Sequence, residues 1–333
     1  MPTEPLPTSL GDGAETPDSY MKTLLRQAAP DVTRRLDAIG DFVIDQSNLL
    51  AMRDRQLRDP GVPSGEVEHI NLAVPGASGD PEVPVRLHRE RGVDERRPCL
   101  ISIHGGGYVI GNHLGDDRRF DRWSTQLRCV GVSVGYRLAP ETPFPGPLED
   151  CYAALRWAYE RGDEFGIDRN RIGIIGGSAG GGLAAGLALL VRDRGEIPVA
   201  FQVLSYPMLD DRQTTESWRT NAPVWAADTN RFGWRAYLGP HVGNEIPGHA
   251  VPARADDLTG LPPAFITVGN LDGLLDEDMD YGRRLIHAGV PTDLHVFADG
   301  PHAFDSLMPE TAIAERARQV LEDWLAPRLH PAD

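Results

Sequence analysis

The sequence predicts an α/β protein: a mostly parallel sheet with helices covering both faces. Three observations predict it. Short apolar runs of strand character alternate with segments of helical period from about residue 65 onward. Two glycine-rich turns, at 104–107 and 176–182, follow such runs directly. The length of 333 residues, 41% of them hydrophobic, supplies a core for one large domain with an insertion, or for two domains.

The elements follow in chain order. The first twenty or so residues are polar and proline-rich and are expected to be disordered. From Tyr20 to about Leu57 the apolar positions (Leu24, Leu25, Val32, Leu36, Ile39) recur at helical spacing, and Pro30-Asp31 restarts a helix with Asp31 as its cap. Residues 67–74 and 83–88 alternate as strands around a Gly/Pro turn. Strands are expected at 99–103, 129–134, 171–175, 200–205, 264–268 and 293–297. Helices are expected at about 148–161, from the glycines after Ser178 to about Arg194, at about 279–288 and at about 309–325. Glu149-Asp150 is expected to cap the first of these. Between Tyr206 and Leu261 the alternation breaks into a tryptophan-rich, proline-punctuated stretch, read as an insertion above the sheet. The domain division is then a tail and helical cap segment at 1–64, and a catalytic domain at 65–333 with a second cap insertion at about 207–260.

Charge narrows the partners. The chain carries 33 basic and 49 acidic residues, a net charge of −16, which repels phosphate backbones and anionic lipid heads. Nucleic acid and membrane surface are therefore not expected partners. Lys22 is the sole lysine, so a phosphate-cradling loop with its lysine is excluded. Three cysteines, Cys99, Cys129 and Cys151, make neither a disulfide framework nor a metal cluster. No apolar leader opens the chain and no run reaches the roughly 20 apolar residues of a membrane span. A cytoplasmic location is the expectation.

Gly176-Gly177-Ser178-Ala179-Gly180 matches G-x-S-x-G between a strand and a helix. A serine on that sharp turn lifts its hydroxyl out of the sheet toward free N–H groups at the helix start. A glycine-rich turn that merely joins the two elements is the bland alternative, and the glycines do not fall in the register of a dinucleotide fingerprint. The second turn, His104-Gly105-Gly106-Gly107-Tyr108, lies about 70 residues earlier. Its backbone N–H groups at Gly105, Gly106 and Gly107, joined by that of Ala179, suit the oxyanion of acyl transfer. Paired in this order, the two turns are far more specific than either alone.

A serine hydroxyl needs a base, and the base needs a carboxylate to orient it. Five histidines follow Ser178 ahead of the last helix: His241, His249, His287, His295 and His302. His287 and His295 fall inside a helix and a strand. His302 falls on the loop after the last strand, where open parallel sheets present their functional groups. By the same rule Asp272, first after the strand at 264–268, is the acid, while Asp276, Glu277 and Asp278 open the next helix.

These residues resemble the hormone-sensitive-lipase-like branch of the α/β-hydrolases. The matching stretches are HGGGYVIG (104–111), YRLAPETPFPGPLED (136–150), GGSAGG (176–181), YPMLDDR (206–212), LDGLLDE (271–277) and GPHAF (300–304), and the likeness covers roughly residues 65–325. The resemblance implies an eight-stranded sheet, a cap from the N-terminal helices plus the insertion, and a triad on Ser178, Asp272 and His302. It implies no metal or organic cofactor, a small-molecule ester of short to medium chain as substrate, and an association into dimers. Lipases for longer chains and a ligand-binding homologue without catalysis share the fold and remain alternatives. Two positions depart from the pattern: Gly177, where Asp or Thr is usual, and Gly273, where Pro is usual and whose glycine is expected to loosen the turn presenting Asp272. Tyr108, Trp218 and Trp225 are candidates for the substrate pocket, though aromatics such as these and Trp234 and Tyr237 equally suit the cap's own packing. Asp210, Asp211 and Arg212 read as a structural ion-pair cluster.

Overall fold

The computed structural model describes residues 17–40, 42–56, 65–220, 222–243 and 245–331; of the first twenty or so residues expected to be disordered, 1–16 lie outside them and 17–20 instead begin a helix. Three helices come first: α1 (Pro17–Gln27), α2 (Pro30–Ile39) and α3 (Leu49–Gln56). The alternating core follows as β1 (Val67–Val74), β2 (Val83–Glu90), β3 (Arg97–Ile103), α4 (Asp117–Gln126), β4 (Val130–Val134), α5 (Gly146–Arg161), β5 (Ile167–Gly177), α6 (Ala179–Arg194) and β6 (Gln202–Ser205). Then come α7 (Ala227–Leu238), β7 (Ala264–Gly269), α8 (Leu275–His287), β8 (Thr292–Phe297), α9 (Phe304–Leu307) and α10 (Ala312–Leu329).

The eight strands form one sheet in the order β1-β2-β4-β3-β5-β6-β7-β8. The pairs β1–β2 and β2–β4 are antiparallel and the remaining five are parallel. Every residue of β3, β4 and β7 is buried, which is why these strands read as unbroken apolar runs rather than as alternation. Helix α6 is buried from Ala179 to Val191 with no polar face, so it runs through the core and not over it.

Several boundaries moved. Strand β5 starts at Ile167 because Arg97 of β3 pairs there before a register shift. Helix α8 begins at Leu275 and takes Asp276, Glu277 and Asp278 into its first turn. Helix α10 runs to Leu329, capped by the Thr311 side chain, which accepts from the Ala314 N–H. Asp31 is not a cap: Ala29 holds that position and Pro30 opens α2. Asp150 does not cap α5 either; it is buried and binds the Arg137 guanidinium and backbone N–H. Helix α4 was not anticipated, because its Asp and Arg residues mask the Phe120–Trp123–Leu127 stripe that packs on Leu100, Cys129 and Phe201.

Candidate active site

Ser178 stands on the turn between β5 and α6 with φ 58° and ψ −125°, backbone that an L-residue adopts only under constraint. The constraint is visible. Its N–H donates to Ser205 O at 2.9 Å, and its carbonyl accepts from the N–H groups of Gly182 and Met208 at 3.0 Å each. Gly180 is obligatory here, since a Cβ would lie 2.1 Å from Ile103 O.

The Ser178 hydroxyl lies 2.9 Å from His302 Nε2, and His302 Nδ1 lies 2.8 Å from Asp272 Oδ2. Asp272 holds its other oxygen against the Leu274 N–H at 3.1 Å. All three side chains are buried, Asp272 completely. A buried carboxylate bonded to Nδ1–H fixes the tautomer whose bare Nε2 can accept from the serine. The His302 ring is walled by Trp225, with centroids 5.7 Å apart, and by Tyr206 edge-on at 5.0 Å. Tyr206 is itself held through its hydroxyl on Asp305 at 2.5 Å. Nothing in the pattern around Tyr206 pointed to this role.

The glycine loop abuts the nucleophile: a Cβ on Gly105 would sit 2.9 Å from Gly177 O and 3.2 Å from Ser178 Cβ. Gly106 and Gly107 have φ of +114° and +59°. The N–H groups of Gly105, Gly106 and Ala179 make no backbone hydrogen bond among the described residues. His104 stiffens the loop from behind, stacking on Tyr136 at 4.1 Å with Nδ1 2.8 Å from Gly105 O. Burial holds His104 down to about 4, so it is a neutral Nδ1–H donor.

A cavity of about 410 Å³ opens over these groups, lined among others by Phe42, Gly105, Ile110, Val224, Trp225 and His302. Of the three expected pocket residues only Trp225 lines it. Tyr108 is buried beneath the loop, stacked on Tyr237 at 4.1 Å with its hydroxyl donating to Met208 O. Trp218 lies against the acid turn, its Nε1–H donating to Glu277 Oε2 at 2.8 Å. That contact corrects the expectation for Gly273. A Cβ there would lie 2.6 Å from the Trp218 ring, so glycine lets the indole clamp the turn, and Ser217 Oγ ties the Gly273 carbonyl at 2.7 Å. Gly177 is less confined but still tight: a Cβ would lie 3.3 Å from the Tyr206 ring, which would have to give by a few tenths of an ångström. Asp210 and Asp211 pair with Arg212 and Arg254, the former within its own turn.

A serine, a histidine and an aspartate joined in that order at the carboxyl ends of parallel strands define an α/β-hydrolase of the nucleophile-elbow class. Residues 100–306 match the family described as alpha/beta hydrolase fold. The chain is 35% identical over 272 residues to esterase LipI of Mycobacterium tuberculosis, spanning 80% of this chain and 84% of that protein. It is 36% identical over 282 residues to carboxylesterase NlhH of the same species, spanning 80% and 86%. Among solved structures it matches a bacterial heroin esterase with a TM-score of 0.85 and 36% identity, over 92% of this chain and 99% of that one. The chain belongs to the α/β-hydrolase family, and it is a carboxylic ester hydrolase.

Proposed function

We propose that Ser178, His302 and Asp272 are the catalytic triad of this esterase, and that it takes short- to medium-chain carboxylic esters through an acyl-enzyme. The continuous bonding from Ser178 to Asp272 at 2.9 and 2.8 Å carries the reading. Ser178 Oγ attacks the ester carbonyl as its proton passes to His302 Nε2. Negative charge develops on the carbonyl oxygen, where the N–H groups of Gly105, Gly106 and Ala179, and of Gly107 beside them, would receive it. The tetrahedral adduct collapses, His302 gives its proton to the leaving alcohol, and the acyl group stays on Ser178. Water then repeats the sequence with His302 as base, releasing the acid and restoring the serine.

The chain-length preference rests on the cavity, whose roughly 410 Å³ lies at the small end for ligand pockets. Helices α1–α3 and the segment at about 207–260 serve as the cap: Phe42 packs on Trp225, and Met21 packs with Ala222 and Leu271. No helix among the described residues is long and apolar enough to cross a membrane, and Cys99, Cys129 and Cys151 are free and buried, which supports a cytoplasmic enzyme. Exposed Met279, Ile286 and Val296 along α8 and the edge strand β8 support a homodimer.

Hydrolysis of nitrophenyl esters of increasing acyl length tests the reading. Turnover is expected to peak at short to medium chains and to fall about 10⁴–10⁶-fold in Ser178→Ala and in His302→Ala. Undiminished turnover in either variant would sink the triad. A wild type inert on the whole ester panel would instead favour a ligand-binding role.

A further inference from the structure

Far from the serine in sequence, three ligand-type atoms converge. His69 on β1 and His88 on β2 are direct cross-strand partners, so their side chains share one face of the sheet, and α4 lies over that face with Asp117 in its first turn. His69 Nδ1 and His88 Nδ1 are 2.8 Å apart, and Asp117 Oδ1 is 3.6 Å from the first and 3.7 Å from the second. All three side chains are buried.

The hydrogens are accounted for elsewhere. His69 Nε2 lies 2.9 Å from Asp121 Oδ1, an oxygen that only accepts, so that nitrogen carries the proton. His88 Nε2 lies 2.9 Å from Ser133 Oγ. Ser133 spends its one hydrogen on Asp116 Oδ2 at 3.0 Å, the same oxygen that takes the Ser102 hydroxyl at 2.7 Å. Ser133 Oγ must therefore accept from His88 Nε2–H. Each neutral imidazole has a single N–H, and both are used. Two bare Nδ1 lone pairs then face one another beside a carboxylate oxygen, an arrangement that a cation at its centre satisfies.

A proton on either Nδ1 would fill only the gap between the two rings and would leave Asp117 Oδ1, 3.6 and 3.7 Å from them, outside it. A metal ion engages all three atoms. The point equidistant from the corners of this triangle, with sides of 2.8, 3.6 and 3.7 Å, lies about 2.0 Å from each, the length of a zinc–imidazole or zinc–carboxylate bond. The supports are those of a metal centre as well: each imidazole donates its other N–H to an oxygen, and Arg86 grips Asp117 through two bonds of 2.6 Å.

We propose that His69, His88 and Asp117 form a zinc-type metal site that pins the antiparallel edge of the sheet, β1 and β2, to α4. Its role is structural, since none of the three ligands lines the catalytic cavity. Two imidazoles and one carboxylate suit zinc or a neighbouring first-row dication, with water completing the sphere.

The test uses the full chain carrying Ser178→Ala, so that the outcome does not depend on the triad. Protein stripped with a chelator is mixed with zinc chloride, passed through gel filtration and assayed for metal by atomic emission. One zinc per chain and a rise in melting temperature on loading are expected. His69→Gln and Asp117→Asn should each lose the retained zinc and the rise. Cobalt(II) replaces zinc in a second measurement on chain with all three ligands intact, which serves even where a variant fails to fold. Intense tetrahedral d–d bands support the site; the pale spectrum of the aquo ion overturns it. Failure of the stripped protein to retain zinc, or equal retention by folded variants, overturns it too.

Discussion

His302 and His69 are built alike on one side and unlike on the other. Each gives one ring hydrogen to an aspartate, Asp272 at 2.8 Å and Asp121 at 2.9 Å, and each is thereby fixed in one tautomer. The bare nitrogen of His302 meets a hydroxyl that still owns its proton, so it can act as a base. The bare nitrogen of His69 meets another bare nitrogen and a carboxylate, so there is nothing to deprotonate and a cation is called for. One orienting device thus yields a proton acceptor or a metal ligand according to what the fold sets opposite. The supporting elements differ accordingly. Ser178, Asp272 and His302 hang on loops after β5, β7 and β8, while the cluster hangs on paired strands and a helix, where a rigid frame suits a structural site.

The largest expected effect separates the two aspartates. Asp272→Asn leaves a side chain of the same shape but presents the wrong tautomer of His302 to Ser178, and kcat is expected to fall about 10⁴-fold. Asp121→Asn removes the same kind of support from His69, with no expected change in kcat and a loss of about 10–100-fold in zinc affinity. Steady-state hydrolysis and zinc titration of both variants read the comparison directly. Equal kcat losses would mean that the two histidines belong to one functional unit.

A smaller effect is expected at the glycine loop. Gly105→Ala forces a methyl to within 2.9 Å of Gly177 O, pushing the loop away from the serine by tenths of an ångström. A loss of about 10²–10³-fold in kcat with KM nearly unchanged is the expected signature, because the displaced donors act on the transition state. A rise in KM alone would place the loop in substrate binding instead.

The Ser178–His302–Asp272 arrangement proposed as catalytic was legible because its parts are local. Glycines at 105–107, 176 and 180 mark backbone where a Cβ would meet a neighbour within 3.0 Å, and Asp272 and His302 each fall just past a strand whose apolar run is plain. The pocket walls were less legible. Tyr108, Trp218 and Trp225 are equivalent as buried aromatics in sequence, and only the packing over Gly273 and His302 sorts them. The histidine cluster was not read at all. His69 and His88 are 19 residues apart and meet through strand register, while Asp117 arrives on α4, a helix whose charged residues concealed its apolar stripe.

The smallest effect concerns two acids of the same turn. Asp272 is bonded to His302 and the Leu274 N–H, whereas both oxygens of Asp278, six residues on and fully buried, have no hydrogen-bond partner among the described residues. Burial pushes Asp278 well above its ordinary 3.8, with Glu277 and Asp272 adding to the rise. In the fold it keeps its proton where the unfolded chain has lost it. The native state then binds more protons, and stability drains away as pH climbs above about 4 until the raised value is passed. Asp278→Asn removes that drain. The variant should melt near the wild type at about pH 4 and above it at pH 8, by about 2 °C for each kcal/mol relieved. Scanning calorimetry across that range decides the point: a difference that stays constant with pH would show that Asp278 is ionised in the fold, and that the turn holds two charged carboxylates rather than one.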